Sequence, residues 1–224
     1  MGNRKYLFFD FDGTVFDTVE GITKSIRWAL NKRGMDAELQ ELRKFVGPPL
    51  AQKFMEVYHF TEEDALEMVR VFRERYSPVG IFESAPFPGI RELLLSLKAA
   101  GLVTGVATSK PQNMAEQLIE RSALTDCFDI VVGSFIGPNN DKKWEILKRA
   151  MEGLGASKEN TVLVGDTKYD VEGAKICGIP CVGVRWGYAS PGELEEAGAS
   201  PVVDSMKELE LFLTGAPSVD DPSL

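Results

Sequence analysis

Apolar positions along this chain fall into two rhythms. Five short, β-rich runs are continuous rather than alternating: KYLFF at 5–9, VTGVA at 103–107, DIVVG at 129–133, TVLVG at 161–165 and PCVGV at 180–184, with PVV at 201–203 a weaker sixth. Continuous runs of this length mark strands covered on both faces, as in a parallel sheet. Between them the spacing turns helical. Ile90, Leu93, Leu94 and Leu97 fall at i, i+3, i+4 and i+7 before Gly101, and Ile146, Leu147, Ala150 and Met151 repeat the pattern before Gly153. Glycine just past the last periodic residue is a helix stop. Strand alternating with helix predicts right-handed crossovers and an α/β fold, a doubly wound Rossmann-like parallel sheet.

One stretch breaks this alternation. From about 18 to 83 the spacing is helical throughout, with Ile22, Ile26, Ala29 and Leu30, then Ala65, Val69, Phe72 and Tyr76. TEED at 61–64 opens the later pattern with an N-cap threonine and acids in the first turn. The expectation is a helical domain, residues 18–83, inserted into a core made of 1–17 and 84–214. FDTVE and ESAPFPG would be its hinges, and 215–224 a loose Pro/Ser/Asp-rich tail.

Composition then narrows the partners. Of 224 residues, 44% are hydrophobic and 26% charged, an ordinary balance for a soluble globular chain. A net charge of −9 with no basic block disfavours nucleic acid and anionic membranes. An anionic substrate would need a local cation, either a metal or a well-placed lysine. Cys127, Cys177 and Cys181 lack metal-ligand spacing and read as buried thiols in a reducing cytoplasm. No apolar run reaches transmembrane length, and MGNRKYLFFDFDG passes into a strand rather than a signal-peptide pattern. Monomer and dimer are both compatible with this composition.

In open α/β sheets, sites form at the carboxyl ends of the strands. Those ends are polar here: Asp10, Asp12, Gly13 and Thr14 after the first strand, Thr108, Ser109 and Lys110 after the second, and Asp166, Thr167 and Asp170 after the fourth. Strand alternation would put Asp10 and Asp12 on one side with Phe9 and Phe11 on the other. Two carboxylates ~5 Å apart at an effective dielectric of ~20 repel by roughly 3 kcal/mol, or ~2 pKa units. One would then hold a proton unless a cation lies between them. Asp166 adds a third acid, and three acids without a histidine point to a hard divalent cation, Mg²⁺. Singly, each feature has a bland explanation: DG is a turn, and Thr108 or Asp166 can cap a helix. Together they supply a nucleophile, metal ligands and anion clamps.

That set resembles the haloacid-dehalogenase-like superfamily of phosphotransferases. DFDGT at 10–14 looks like its first motif, VATS at 106–109 its second and GDTKYD at 165–170 its fourth, and the inserted helices fall where the family's α-helical cap falls. The third motif is a lysine before a helix. NNDKKWEIL offers Lys142 or Lys143, of which Lys143 fits similar sequences better, although the common KPxP form is missing. The resemblance implies Asp10 as the nucleophile and Asp12 as general acid and base. It implies Thr108, Ser109 and Lys143 on the phosphate, Mg²⁺ on Asp10, Asp166 and the Asp12 carbonyl oxygen, and Asp170 orienting water or Lys143. An acid at position 12 also points to phosphatase or phosphomutase chemistry rather than dehalogenation.

VGPPL at 46–50, YSPVG at 76–80, PFPG at 86–89, TSKP at 108–111 and VRWGY at 184–188 look most like the phosphoglycolate-phosphatase-like branch. The implied substrate is a small phosphorylated metabolite. A 5′-nucleotidase or pyrophosphatase of the same branch, a sugar phosphomutase, and a non-catalytic member that binds a phosphorylated ligand are the alternatives. Arg43 and Lys53 of the insert either reach a substrate carboxylate or are solvated surface charges. His59, Trp28, Trp144 and Trp186 read as packing or surface residues.

Overall fold

The computed structural model describes residues 4–135 and 141–215. Six parallel strands form one sheet in the order β5–β4–β1–β6–β7–β8. They are β1 (Tyr6–Phe9), β4 (Val103–Pro111), β5 (Ile130–Ser134), β6 (Thr161–Gly165), β7 (Cys181–Val184) and β8 (Val202–Val203). All six predicted strands are present and the predicted doubly wound fold is the one observed. β1 runs in the middle and its side chains alternate between two cores. Leu7 and Phe9 enter one layer with Leu93, Leu94 and Leu97 of α4 (Ile90–Ala99) and Leu209 of α9 (Met206–Thr214).

 Phe8 points the other way, onto Ile146, Leu147 and Ala150 of α6 (Lys143–Gly153) and Val171 and Ala174 of α7 (Lys168–Cys177). Burial on both faces is why these strands read as unbroken apolar runs.

The chain leaves β1 in both directions across the sheet, to β4 and β5 on one side and to β6, β7 and β8 on the other. A crevice therefore opens at the carboxyl end of β1, where open α/β sheets place their sites. β4 is longer than predicted. Its ladder with β5 is interrupted between Ala107 and Pro111, so Thr108, Ser109 and Lys110 lie in an irregular extension of the strand. The other helices packed on the sheet are α5 (Gln112–Arg121) and the short α8 (Glu193–Ala197).

Between β2 (Phe16–Asp17) and β3 (Ala85–Pro86) the chain forms only helices and turns: α1 (Val19–Lys32), α2 (Leu50–Tyr58) and α3 (Glu62–Tyr76), with short 3-10 turns. Thr61 caps α3, its hydroxyl accepting the Asp64 N–H at 3.2 Å. Phe45, Phe54, Met68 and Phe72 bury themselves against Ile26 and Leu30 of α1. The two segments expected as hinges, FDTVE and ESAPFPG, pair with each other. Phe16 lies opposite Pro86 and Asp17 opposite Ala85 in an antiparallel ribbon. Pro86 has no N–H to donate, which keeps the ribbon short. Of the predicted tail, everything past Gly215 lies outside the described residues. Among the described residues no helix is long and apolar enough to cross a membrane.

Candidate active site

The site begins where β1 ends. The Asp10 N–H still donates to the Val164 carbonyl at 2.9 Å, and the pleat stops there. The Phe11 carbonyl then accepts N–H groups from Thr14, Val15 and Phe16 at 3.3, 3.0 and 2.9 Å, which winds residues 11–16 into a tight turn. Gly13 holds a φ of +90°, and a Cβ there would stand 2.1 Å from Asp166 Oδ2, so no other residue fits this turn. The Trp186 indole donates to the Thr14 carbonyl at 3.1 Å and braces it from outside.

Asp10 and Asp12 line the same cavity, and after burial and Asp170, Asp12 adds to the rise of the Asp10 pKa. Because residue 11 has left the strand, alternation no longer governs where residue 12 points, and each acid has a lysine of its own. Lys143 Nζ lies 2.6 Å from Asp10 Oδ1 and 2.7 Å from Asp170 Oδ1. Lys110 Nζ lies 3.0 Å from Asp12 Oδ1. Asp166 and Asp170 also crowd Asp10, and one carboxylate oxygen from each of these three lies within 4.8 Å of the others.

All three are buried. Asp166 is fully enclosed; its carboxylate accepts the Thr14 hydroxyl at 2.9 Å and the Tyr188 N–H at 2.9 Å. Asp170 divides its oxygens: Oδ2 accepts the N–H and hydroxyl of Thr167 at 3.1 and 2.9 Å, capping α7, while Oδ1 faces Lys143. Burial raises the Asp10 pKa to about 6 against the pull of Lys143, with Asp170 adding to the rise. Asp166 is held well above the usual carboxylate range by burial first, then by Asp170 and Asp10. Asp10 Oδ1 has no aligned hydrogen-bond donor although it is buried. One ammonium among three carboxylates leaves an excess of negative charge, so this all-oxygen cluster fits a hard divalent cation.

On the other side of the turn, Lys110 is buried between Asp12 and the insert. Its ammonium donates to the Tyr76 hydroxyl at 2.6 Å. Burial alone would depress the Lys110 pKa, but Asp12 and Tyr76 more than offset it and hold the value above the ordinary lysine range. Thr108 is buried beside it and its hydroxyl accepts the Lys110 N–H at 3.2 Å, so it caps no helix. The Ser109 carbonyl accepts the Ser134 hydroxyl at 2.9 Å. Lys142 is exposed at the start of α6 and Lys143 is buried, so Lys143 alone of the pair reaches the acids.

Asp10, Asp12, Thr108, Ser109, Lys143 and Asp170 all line one cavity of about 390 Å³. Its upper wall comes from the insert and is apolar, with Phe45, Pro48, Leu50, Leu66 and Val69, faced by Met114 of α5. Arg73 also lines this wall, and no carboxylate pairs with it among the described residues. Arg43 and Lys53, the insert cations singled out in the sequence, are not among the lining residues; Arg43 is exposed and Lys53 pairs with Glu56 at 2.9 Å. Asp17 is not part of the cluster either. Its Oδ1 accepts the Tyr188 hydroxyl at 2.9 Å and the Val19 N–H at 3.2 Å, fastening the start of α1. His59 is exposed and ends α2 in a left-handed conformation, which is a turn role.

Sequence reasoning missed Tyr76, Tyr188 and Arg73. Tyr188 had one available signal, since it follows a strand end in a sheet whose strand ends form the site. Tyr76 and Arg73 had none beyond their helical spacing.

A family model described as haloacid dehalogenase-like hydrolase matches residues 7–184. A 5′-nucleotidase from Pseudomonas aeruginosa is 38% identical over 84% of this chain and 86% of that protein. A phosphoglycolate phosphatase from Pseudomonas syringae pv. syringae is 28% identical over 92% of this chain and 78% of that one. The solved structure of a predicted phosphatase from Clostridium acetobutylicum superposes with a TM-score of 0.91 at 40% identity, covering 95% of this chain and 99% of its own.

Proposed function

Because the chain belongs to the haloacid dehalogenase-like hydrolase family and is a phosphatase of that family, we propose that it hydrolyses a small phosphate monoester through an aspartyl-phosphate on Asp10, with Mg²⁺ as its cation. The observation that carries this reading is the floor of the cavity, where a buried carboxylate, Asp10, stands between a lysine and two further acids. In the first step an Asp10 oxygen bonds to phosphorus as the ester P–O bond breaks. The electron pair leaves with the ester oxygen, which takes a proton from Asp12. In the second step water attacks the phosphorus, its proton passes to Asp12, and Asp10 is released as a carboxylate. Lys143, Thr108 and Ser109 hold the phosphoryl oxygens in this scheme, and Asp170 keeps Lys143 in place. Asp10, Asp166 and the Asp12 carbonyl oxygen would hold Mg²⁺, which when bound neutralises charge between the anionic nucleophile and the anionic phosphate.

Residues 18–83 act in this reading as a cap over a core of 1–17 and 84–214, excluding water and selecting the ester. The sequence resemblance points first to 2-phosphoglycolate. A second reading, a 5′-nucleoside monophosphate, is favoured by the cavity of about 390 Å³ with its apolar upper wall, which exceeds what a glycolate body needs. The similarity to a 5′-nucleotidase supports the same choice. The test is release of inorganic phosphate from 2-phosphoglycolate, nucleoside monophosphates, pyrophosphate and β-glucose 1-phosphate, with Mg²⁺ and with EDTA, beside Asp10→Asn. Metal-dependent release abolished by Asp10→Asn is expected. Turnover that survives Asp10→Asn, or no turnover of any ester, would overturn the mechanism.

A further inference from the structure

Of the two buried lysines among the described residues, the mechanism above leaves Lys110 unused. The Lys110 side chain is 2% exposed, more enclosed than the 8% of Lys143 that faces the phosphate site. It comes from the extension of β4, two residues after Thr108, and ends between two partners from different parts of the chain. Asp12 Oδ1 is 3.0 Å from its Nζ, and the Tyr76 hydroxyl is 2.6 Å away. The rings of Phe11 and Tyr76 flank the same ammonium, their centroids at 5.6 and 5.1 Å. Tyr76 is the last residue of α3, so this contact belongs to the insert. Gly80 packs against that ring, where a Cβ would stand 2.9 Å from Tyr76 Cδ2.

We propose that Lys110 is a positioning residue for Asp12, and that the Tyr76 hydroxyl holds Lys110 to this task when the insert is seated. The proposal rests on the assignment of Asp12 as the group that exchanges a proton with the ester oxygen. Asp12 stands on a turn, and among the described residues no backbone N–H donates to its carboxyl, which Lys110 holds instead. Lys110 occupies one oxygen and leaves the other for the substrate. As Asp12 gives its proton to the leaving oxygen it becomes a carboxylate, and the ammonium beside it stabilises that product of the transfer. Tyr76 lies 34 residues from Lys110 and Asp12 lies 98 residues from it, so one side chain joins the insert, the second strand end and the nucleophile turn. If α3 lifts away, Lys110 loses its neutral partner and Asp12 loses part of its anchor.

The leaving group provides the test. p-Nitrophenolate departs without a proton, whereas the alkoxide of an alkyl phosphate needs one. Single-turnover transfer of phosphate from each ester is measured for the full-length protein with Mg²⁺, for Lys110→Met, Lys110→Arg and Tyr76→Phe, with Asp12→Asn as the reference. For Lys110→Met, the alkyl ester is expected to slow by about 100-fold, within the range for general acid catalysis, and the aryl ester to slow at least ten times less. Lys110→Arg should recover part of the alkyl rate. Tyr76→Phe, which keeps the ion pair and removes one hydroxyl, should give a smaller loss confined to the alkyl ester and covers the case in which Lys110→Met does not fold. Equal slowing of both esters would mean that Lys110 serves the fold or the phosphate itself, and the proposal falls. Unchanged rates for Lys110→Met with both esters would sink it as well. If Asp12→Asn itself shows no leaving-group dependence, the underlying role of Asp12 has failed instead.

Discussion

Without a divalent cation this protein should become more stable as the pH is lowered from 7.5 to 5.0. The perturbation acts on Asp10. Its pKa in the folded protein is raised from 3.8 to about 6, chiefly by burial and in part by Asp170. A carboxyl with a raised folded-state pKa binds more protons folded than unfolded, so its contribution is complete below the unfolded value and is lost as pH rises through about 6. The full shift amounts to about 3 kcal/mol, of which about half has returned by pH 5. For a chain of this size that is about 3 to 6 °C in Tm. Asp166, raised for the same reasons, adds in the same direction.

The surface acids whose pKa values are lowered, such as Asp36 beside Arg27, lose their contribution at lower pH and stay outside the window. His59 is the only histidine, and a His59→Asn background removes it while suiting the left-handed turn. The assay is calorimetric melting in EDTA at both pH values, repeated with Mg²⁺. The cation competes with protons for the same carboxylates, so it should stabilise more at pH 7.5 than at 5.0 and flatten the dependence. A melting temperature in EDTA that stays level or falls on acidification would refute the reasoning.

Two further outcomes are expected. Lys143→Met should lower phosphate release by at least about 100-fold, while Lys142→Met, at an exposed position, should stay near wild type; a steady-state assay on one ester decides between them. Thr61→Ala removes the hydroxyl that accepts the Asp64 N–H at 3.2 Å and should cost about 1 kcal/mol of stability, read by denaturant melting.

The strands were legible because burial on both faces leaves an unbroken apolar run, and Phe8 between Leu7 and Phe9 is such a case. The insert was legible because nothing between Thr18 and Glu83 carries that signature. The arrangement of the acids was harder to read. Strand alternation accounts for Asp10, but Asp12 stands on a turn wound by the three N–H groups converging on the Phe11 carbonyl, where its carboxylate meets Lys110. Contacts such as Tyr76 with Lys110, or Tyr188 with Asp166, join residues that are distant in the chain and carry no local pattern. Lysine 110 stood in the set of strand-end residues, yet only its neighbours separate its place from that of Lys143.

The ribbon between Phe16–Asp17 and Ala85–Pro86 has a consequence for how such a chain can vary. It ties the outgoing and returning segments together at one point, so the ends of the insert are held near each other whatever lies between them. Loop closure grows only slowly in cost with length, so material can be added to or removed from the far side of this tie at small expense to the sheet. The same tie lies only a few residues from Asp12. The insert can therefore change in length and sequence while the residues at the end of β1 keep their places, like a tool head exchanged on a fixed handle.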